Sequence, residues 1–307
     1  MNTPKRVVVT GATGLIGKSL VRALVARGDA AVVLSRRPDE ARTLVPGAAA
    51  YLPWRPGDDA SLDEAVDGAD AVVNLGATSL FARRWSSAFK REIRESRVQG
   101  TRSVVAAIGR ASRPPSVLVN ASAVGIYGPR GSELVDEGSP LGDDFLAGVC
   151  ISWEAEARQA EQHGARVVLL RSGVVLDPHE GALKMLLLPF RMGVGGPLLP
   201  GSQWMSWVHR DDEVGIILHA IDTPELSGPL NAVAPYPQMN FEFAKALGET
   251  VGRPSWLPVP DFAVRLAVGE VADTVTTGQY VVPRKAMGSG YAFRFPIAAA
   301  ALADLLG

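Results

Sequence analysis

The sequence predicts an α/β protein built on a doubly wound parallel sheet, with a smaller lobe supplied by its C-terminal part. Three observations carry this. Short β-branched and apolar runs alternate with stretches of helical periodicity through the first half of the chain. A glycine-rich turn joins the first run to the first helix. The alternation stops after Leu176, where Gly and Pro become frequent between Pro189 and Gly201. Strands alternating with helices at this spacing need right-handed crossovers, so the sheet is parallel and covered on both faces.

The elements follow in order. Lys5–Thr10 is the first strand. Leu15–Arg27 places Ile16, Leu20 and Leu24 on one helical face, and Gly28 stands where a left-handed C-cap belongs. Ala31–Ser35 and Tyr51–Trp54 are the next strands, and Leu62–Val66 is a short helix. Ala71–Leu75 is the fourth strand. Trp85–Ala111 is a long helix carrying Phe89, Ile93, Val98, Val105 and Ile108. Ser116–Ser122, a helix over Ile151–Gln162 and a strand over Arg166–Arg171 complete the regular part. Gly228–Ala234 returns a strand to the sheet, and Phe241–Val251 and Phe262–Val271 are helical. The expected division is a dinucleotide domain over 1–175, its sheet completed by 211–235, and a lobe from 176–210 and 236–307. A cleft lies between them.

The chain has 307 residues, 47% of them hydrophobic and 21% charged, with a net charge of −1. That balance offers no electrostatic footprint for nucleic acid or an anionic membrane surface. No apolar run approaches the roughly 18 residues of a membrane helix. Val7-Val8-Val9 is cut short by Thr10-Gly11, so it reads as a buried strand rather than a secretory signal, and a cytoplasmic location is expected. The single cysteine, Cys150, cannot form an internal disulfide, and the four histidines show no ligand spacing, so no metal is expected. The sequence leaves the oligomeric state open, a homo-oligomer included.

The turn reads Thr10-Gly11-Ala12-Thr13-Gly14-Leu15-Ile16-Gly17, after a strand and opening a helix. This is the context that a dinucleotide fingerprint requires, and it makes the sheet a Rossmann-type one. Gly11 permits the turn, Gly14 lets backbone approach the pyrophosphate, and Gly17 allows close helix packing. The helix N-terminus offers free N–H groups and partial positive charge to the phosphates. The ribose end is read about twenty residues on. There the chain has Ser35-Arg36-Arg37, where an NAD site carries Asp or Glu. Two guanidiniums and no carboxylate suit a 2′-phosphate, so NADP(H) is the expected cofactor.

On these residues and on motifs farther along, the chain resembles the extended short-chain dehydrogenase/reductase superfamily. Asn74-Leu75-Gly76-Ala77 is similar to the motif that lines the cofactor, and Arg97-Val98-Gln99-Gly100-Thr101 to the helix motif after it. Ser122-Ala-Val-Gly-Ile-Tyr127-Gly128 resembles the fifth-strand segment. Trp207-Val208-His209-Arg210-Asp211-Asp212 resembles the substrate-lobe motif of sugar-nucleotide epimerases. More narrowly, Arg84-Trp85, Ser96-Arg97, Trp153-Glu154, Gly201-Ser202-Gln203 and the stretch from Pro258 to Pro296 resemble the SulA-like epimerase subgroup with its own C-terminal domain. The resemblance implies the Rossmann fold and the NADP(H) site, with Arg84 and Gln99 added to the cofactor contacts. It leaves the reaction open.

The superfamily's proton chemistry rests on a Tyr-x-x-x-Lys pair, where the lysine depresses the tyrosine pKa. Here the aligned residues are Cys150 and Glu154. A carboxylate beside a thiol raises its pKa, so a thiolate mechanism is not favoured. Ser122 aligns with the residue that hydrogen-bonds a substrate carbonyl, and Tyr127 lies just beyond it. Glu154 is either a general acid–base, if burial raises its pKa, or a structural residue that complements the dipole at the start of its helix or pairs with an arginine such as Arg171. Cys150 and Trp153 also read as packing residues. In the second lobe Arg191, Gln203, Trp207 and His209 are candidates to meet a polar small-molecule substrate in the cleft, with His209 equally readable as structural. Asp212 is expected to cap or anchor the helix after it, and Gly193, Gly195 and Gly196 read either as a mobile loop or as an ordinary connection. Two functions follow: an NADP(H)-dependent oxidoreductase or epimerase/dehydratase-like enzyme, or a non-catalytic NADP(H)-binding regulatory protein that has lost the dyad.

Overall fold

The computed structural model describes residues 3–307. Seven parallel strands form one sheet: β1 (Arg6–Thr10), β2 (Ala30–Ser35), β3 (Ala50–Pro53), β4 (Ala71–Asn74), β5 (Val117–Ala123), β6 (Arg166–Ser172) and β7 (Gly228–Ala232). Their spatial order is β7-β6-β5-β4-β1-β2-β3. The order reverses at β1, between β4 and β2, and ligands of open α/β sheets bind at such a switch point. Most strand residues are apolar because both faces are covered. Alternation then sorts the side chains. Val7 and Val9 face α1 (Leu15–Arg27) and the helix over Arg210–Asp222, whereas Val8 faces the side packed with Leu62, Val104 and Ile108.

The other helices are α2 (Pro38–Leu44), α3 (Ala60–Val66), α4 (Ser87–Arg110), α5 (Phe145–Arg158), α6 (Gly181–Arg191), α7 (Arg210–Asp222), α8 (Asn240–Thr250), α9 (Asp261–Val268), α10 (Asp273–Thr276), α11 (Arg284–Gly288) and α12 (Ala298–Leu306). The sequence expectation names no helix at α10, α11 or α12, and among its other departures from the structure are three earlier in the chain. Helix α5 starts at Phe145 rather than 151, because Asp144 Oδ1 accepts from the Ala147 N–H, 2.8 Å away, and caps it there. Helix α2 is absent from the expected elements although Pro38 stands at its first turn. Helix α6 forms inside the stretch read as irregular. Leu183, Leu187 and Phe190 recur at helical spacing and are buried, which outweighs the glycine at its start and Pro189 within it.

A third core lies beyond the carboxyl ends of the strands. It joins Leu183, Leu187 and Phe190 of α6, Trp207, Phe243 and Leu247 of α8, and Ala301 and Leu302 of α12. The short strand Trp207–His209 pairs in parallel with Val174–Leu176. Asp212 does not cap α7; His209 does, its Nδ1 accepting from the Asp211 N–H at 3.0 Å. Asp212 instead receives the Tyr291 hydroxyl and the Arg294 and Phe295 N–H groups at 2.8–2.9 Å, which ties the C-terminal segment to α7. Among the described residues no helix is long and apolar enough to cross a membrane.

Candidate functional site

The glycine turn at the switch point is built by close backbone contact. Gly11 has φ +67°, and a Cβ on it would lie 2.8 Å from the Leu75 carbonyl carbon. Gly17 is tighter still, since a Cβ there would sit 2.3 Å from the Gly11 carbonyl oxygen. Only glycine fits at either position. Thr10 Oγ1 fixes the neighbouring wall by accepting the Leu75 and Gly76 N–H groups, both at 3.1 Å. The α1 N-terminus has Gly14 as N-cap, with no side chain closing it and no acidic residue in its first turn. Gly14 is exposed, and Thr13, Leu15 and Ile16 are half-buried around it. The result is an open cradle of N–H groups that suits an anion.

At the end of β2, Arg36 and Arg37 are exposed beside this cradle. Ser35 Oγ accepts the Arg37 N–H at 3.1 Å, and Arg37 pairs with Glu40 at 2.9 Å. Leu75 and Gly76 are half-buried and Ala77 is exposed at the end of β4. Asn74 differs from the others. It is buried, accepts from Thr10, and donates to Thr101 and Asn120 at 2.9 and 2.7 Å, so it braces three elements below the cleft. Gln99 does not reach the cradle. It is exposed on α4, in a surface hollow with Pro56, Gly57 and Asp59. Arg84 donates to the Leu266 carbonyl, tying the loop after β4 to α9.

The dyad position holds a self-satisfied polar chain. Ser122 Oγ donates to Glu154 Oε1 at 2.8 Å. Glu154 is buried inside α5, not at its start, so it has no role at a helix end. Its two oxygens accept Arg171 Nε and Nη2 at 2.8 and 2.9 Å, a bidentate pair. Arg171 Nη1 donates to the Tyr127 hydroxyl at 2.9 Å, which in turn donates to Asn231 Oδ1 at 2.7 Å. Burial opposes charge on Arg171, but the Glu154 carboxylate outweighs it and raises the Arg171 pKa. Burial also raises the Tyr127 pKa, against the pull of Arg171. Cys150 packs with Ile126, Tyr127 and Val135. Burial pushes its thiol up to about 11, with Arg97 opposing and Glu154 adding to the shift. Neither Cys150 nor Tyr127 is therefore a thiolate or phenolate at neutral pH.

The second-lobe candidates separate. Trp207 and His209 have no exposed surface and belong to the third core, with His209 against the Phe295 ring and 3.3 Å from Asp304. Burial lowers the His209 pKa, and its ring serves as a cap. A substrate cannot touch either residue as expected. Gln203 is half-buried and donates to the Leu198 carbonyl at 3.0 Å, while Arg191 is exposed at the end of α6. Gly195 and Gly196 are buried because Phe190 and the Leu257 backbone press on them; a Cβ would come within 2.4 and 2.0 Å. These two glycines mark a packed crossing, not a loose loop. The sequence reading did not single out Arg97, Asn231 or Glu213. Arg97 stood in a quoted motif, but nothing in the sequence signalled the other two.

The chain matches the model of the NAD dependent epimerase/dehydratase family over residues 7–233, and that of a domain of unknown function, DUF1731, over 259–305. It is 43% identical to the chloroplastic epimerase family protein SDR39U1 homolog of Arabidopsis thaliana, covering 94% of this chain and 83% of that one. It is 41% identical to the epimerase family protein Mb2239 of Mycobacterium bovis, covering 94% and 93%. The crystal structure of human epimerase family protein SDR39U1 with NADPH superposes with a TM-score of 0.87 at 36% identity, covering 98% of this chain and 99% of that one. A close-packed glycine turn at the switch point of a seven-stranded Rossmann-type sheet, and matches of this length, place the chain in the NAD-dependent epimerase/dehydratase family, in the branch that carries the additional C-terminal domain.

Proposed function

We propose that this protein binds NADP(H) and uses it for redox chemistry on a small molecule held between the sheet domain (1–175 with 211–235) and the second lobe. The observation that carries the reading is the exposed Arg36–Arg37 pair beside an open, uncapped α1 N-terminus. The residues fit the dinucleotide: a turn held tight by backbone contacts that exclude any Cβ at Gly11 or Gly17, an uncapped helix N-terminus, and cations at the end of β2, where a 2′-phosphate would lie. The human relative crystallised with NADPH supports the same cofactor. When bound, the nicotinamide supplies hydride transfer. A cytoplasmic location belongs to this proposal. Titration by ligand-dependent fluorescence tests the cofactor: NADPH is expected to bind at least roughly tenfold more tightly than NADH, and equal affinities would overturn the proposal.

What this chain contributes at the reacting end departs from the Tyr/Lys scheme. Ser122 is buried and gives its one hydroxyl proton to Glu154, so toward the Cys150 thiol beside it, or toward a ligand, its oxygen can only accept. Glu154 has both its oxygens held by Arg171 in a bidentate pair. Cys150 keeps its proton at neutral pH. This closed chain favours a second reading, an NADP(H)-binding protein that performs no hydride transfer. The two part on turnover. The oxidoreductase reading expects NADPH consumption with at least one carbonyl compound, and Cys150→Ala to keep it, because the thiol packs rather than reacts. A complete lack of consumption across aldehydes, ketones and conjugated enones would leave only the second reading.

A further inference from the structure

Helix α4 carries Arg97 toward the loop that leaves β4. Its Nη1 donates to the Thr78 and Ile93 carbonyls at 3.1 and 3.0 Å. Its guanidinium lies 5.1 Å from the Trp153 ring centre. Trp153 is one turn along α5 from Cys150, the residue in the dyad tyrosine's place. Arg97 is half-buried, yet no carboxylate among the described residues stands within 4.0 Å of it, and its Nε and Nη2 have no partner there. The buried Arg171 has its carboxylate, Glu154; among the described residues Arg97 has none. Burial lowers the Arg97 pKa, as expected of a cation partly stripped of water without a counter-charge. A planar fork with two free donors and no protein anion is suited to a carboxylate or phosphate brought by a ligand.

The loop that accepts from Arg97 through the Thr78 carbonyl carries exposed apolar side chains, as does the helix tied to it. The loop after β4 exposes Phe81, and α9, tied to that loop through Arg84 and the Leu266 carbonyl, exposes Phe262 and Leu266. A cation over the Trp153 ring, on a loop that carries exposed apolar side chains, matches an organic anion with an apolar body better than a heavily hydroxylated one.

We propose that Arg97 is the specificity residue of the cleft and that the second ligand is a small carboxylate with an apolar body. This rests on the NADP(H) reading, since the cleft is completed by the dinucleotide. The carboxylate docks on Arg97 Nε and Nη2, with Trp153 behind the guanidinium. Ser122, as an acceptor, takes a donor hydrogen of the ligand or of the nicotinamide amide.

The test uses the full chain loaded with NADPH. Benzoate and phenylpyruvate are titrated by the change in NADPH fluorescence, with their methyl esters as charge-free controls. The expected result is saturable binding of the carboxylates, loss of roughly tenfold or more for the esters, and a similar loss in Arg97→Gln with NADPH affinity unchanged. Arg97→Lys keeps the charge and recovers part of the affinity, and circular dichroism of each variant reports that the fold is intact. If the Gln variant instead weakens NADPH itself, the anion on Arg97 is a cofactor phosphate, and the proposal is overturned. It is also overturned if neither carboxylate binds, or if acid and ester bind alike. Failure of NADPH to bind the native chain would be a failure of the cofactor reading, visible before any carboxylate is added.

Discussion

Arg171→Met is expected to cost about 3–5 kcal/mol of stability, the usual result of stripping one member from a buried ion pair. Arg171 and Glu154 are almost sealed from solvent, with side chains 3% and 6% exposed. Among the described residues, removing the guanidinium leaves Glu154 with Ser122 as its one hydrogen-bonding side chain, and takes a donor from Tyr127. The charge must then be buried alone or be neutralised by a proton. Replacing both residues, as Glu154→Leu with Arg171→Met, deletes the pair rather than orphaning one half and is expected to recover most of the loss. Equilibrium denaturation of the three variants measures this. A single-variant loss below about 1 kcal/mol would mean that water reaches the pair and that the chain is not sealed.

The second large effect is a pH dependence centred on Glu213. This carboxyl is fully buried on α7, accepts the Ser172 hydroxyl at 2.5 Å through Oε1, and has no hydrogen-bonding partner for Oε2 among the described residues. Burial pushes its pKa up to about 8, with the Ser172 hydrogen bond opposing. In the unfolded chain the same group titrates at about 4.3. The folded form therefore binds the proton more tightly. Its contribution is full below the unfolded pKa and declines as pH rises, until the folded pKa is passed. The slope is up to about 1.4 kcal/mol per pH unit in that window. Glu213→Gln keeps the shape and cannot ionise. Subtracting its stability from that of the native chain isolates the effect, and the difference is expected to favour the native chain least at the upper end. A difference flat between about pH 5 and pH 8 would show that Glu213 is already ionised in the fold.

Much of the architecture was legible because it depends on local signals. A strand buried on both faces must be apolar, so β1, β2, β4, β5 and β6 stand out. Gly11 and Gly17 are forced by contacts that no other residue survives, so their spacing names the turn. Where local signals conflict, the reading slips. Helix α6 contains Pro189 and opens on a glycine, and only its burial against Trp207 and Phe243 makes it a helix. The α5 boundary depends on one carboxylate, Asp144, whose capping role cannot be told from a surface acid.

The site was legible in parts for the same reason. Pairing of Glu154 with Arg171 was open to inference, since both lie near the aligned dyad. That Ser122, Tyr127 and Asn231 extend the pair into one chain was not, because Asn231 comes from a strand far along the sequence. Trp207 and His209 lie in the motif that resembles the substrate lobe of sugar-nucleotide epimerases, which makes them candidate substrate contacts, His209 equally a structural residue. Their strand runs into the third core, a tertiary fact with no local mark. Gln99 was taken from a motif whose helix turns that side chain outward, while Arg97, two residues earlier, faces the loop after β4.

The staple at Asp212 bears on what the two matched regions are. The first ends at residue 233 and the second starts at 259. Yet Asp212, inside the first, holds residues 291–295 of the second, and α12 closes over Trp207 and Phe190. A chain cut between them would leave large apolar side chains wet on both pieces. The hydrophobic interior runs across the boundary between the two matched regions.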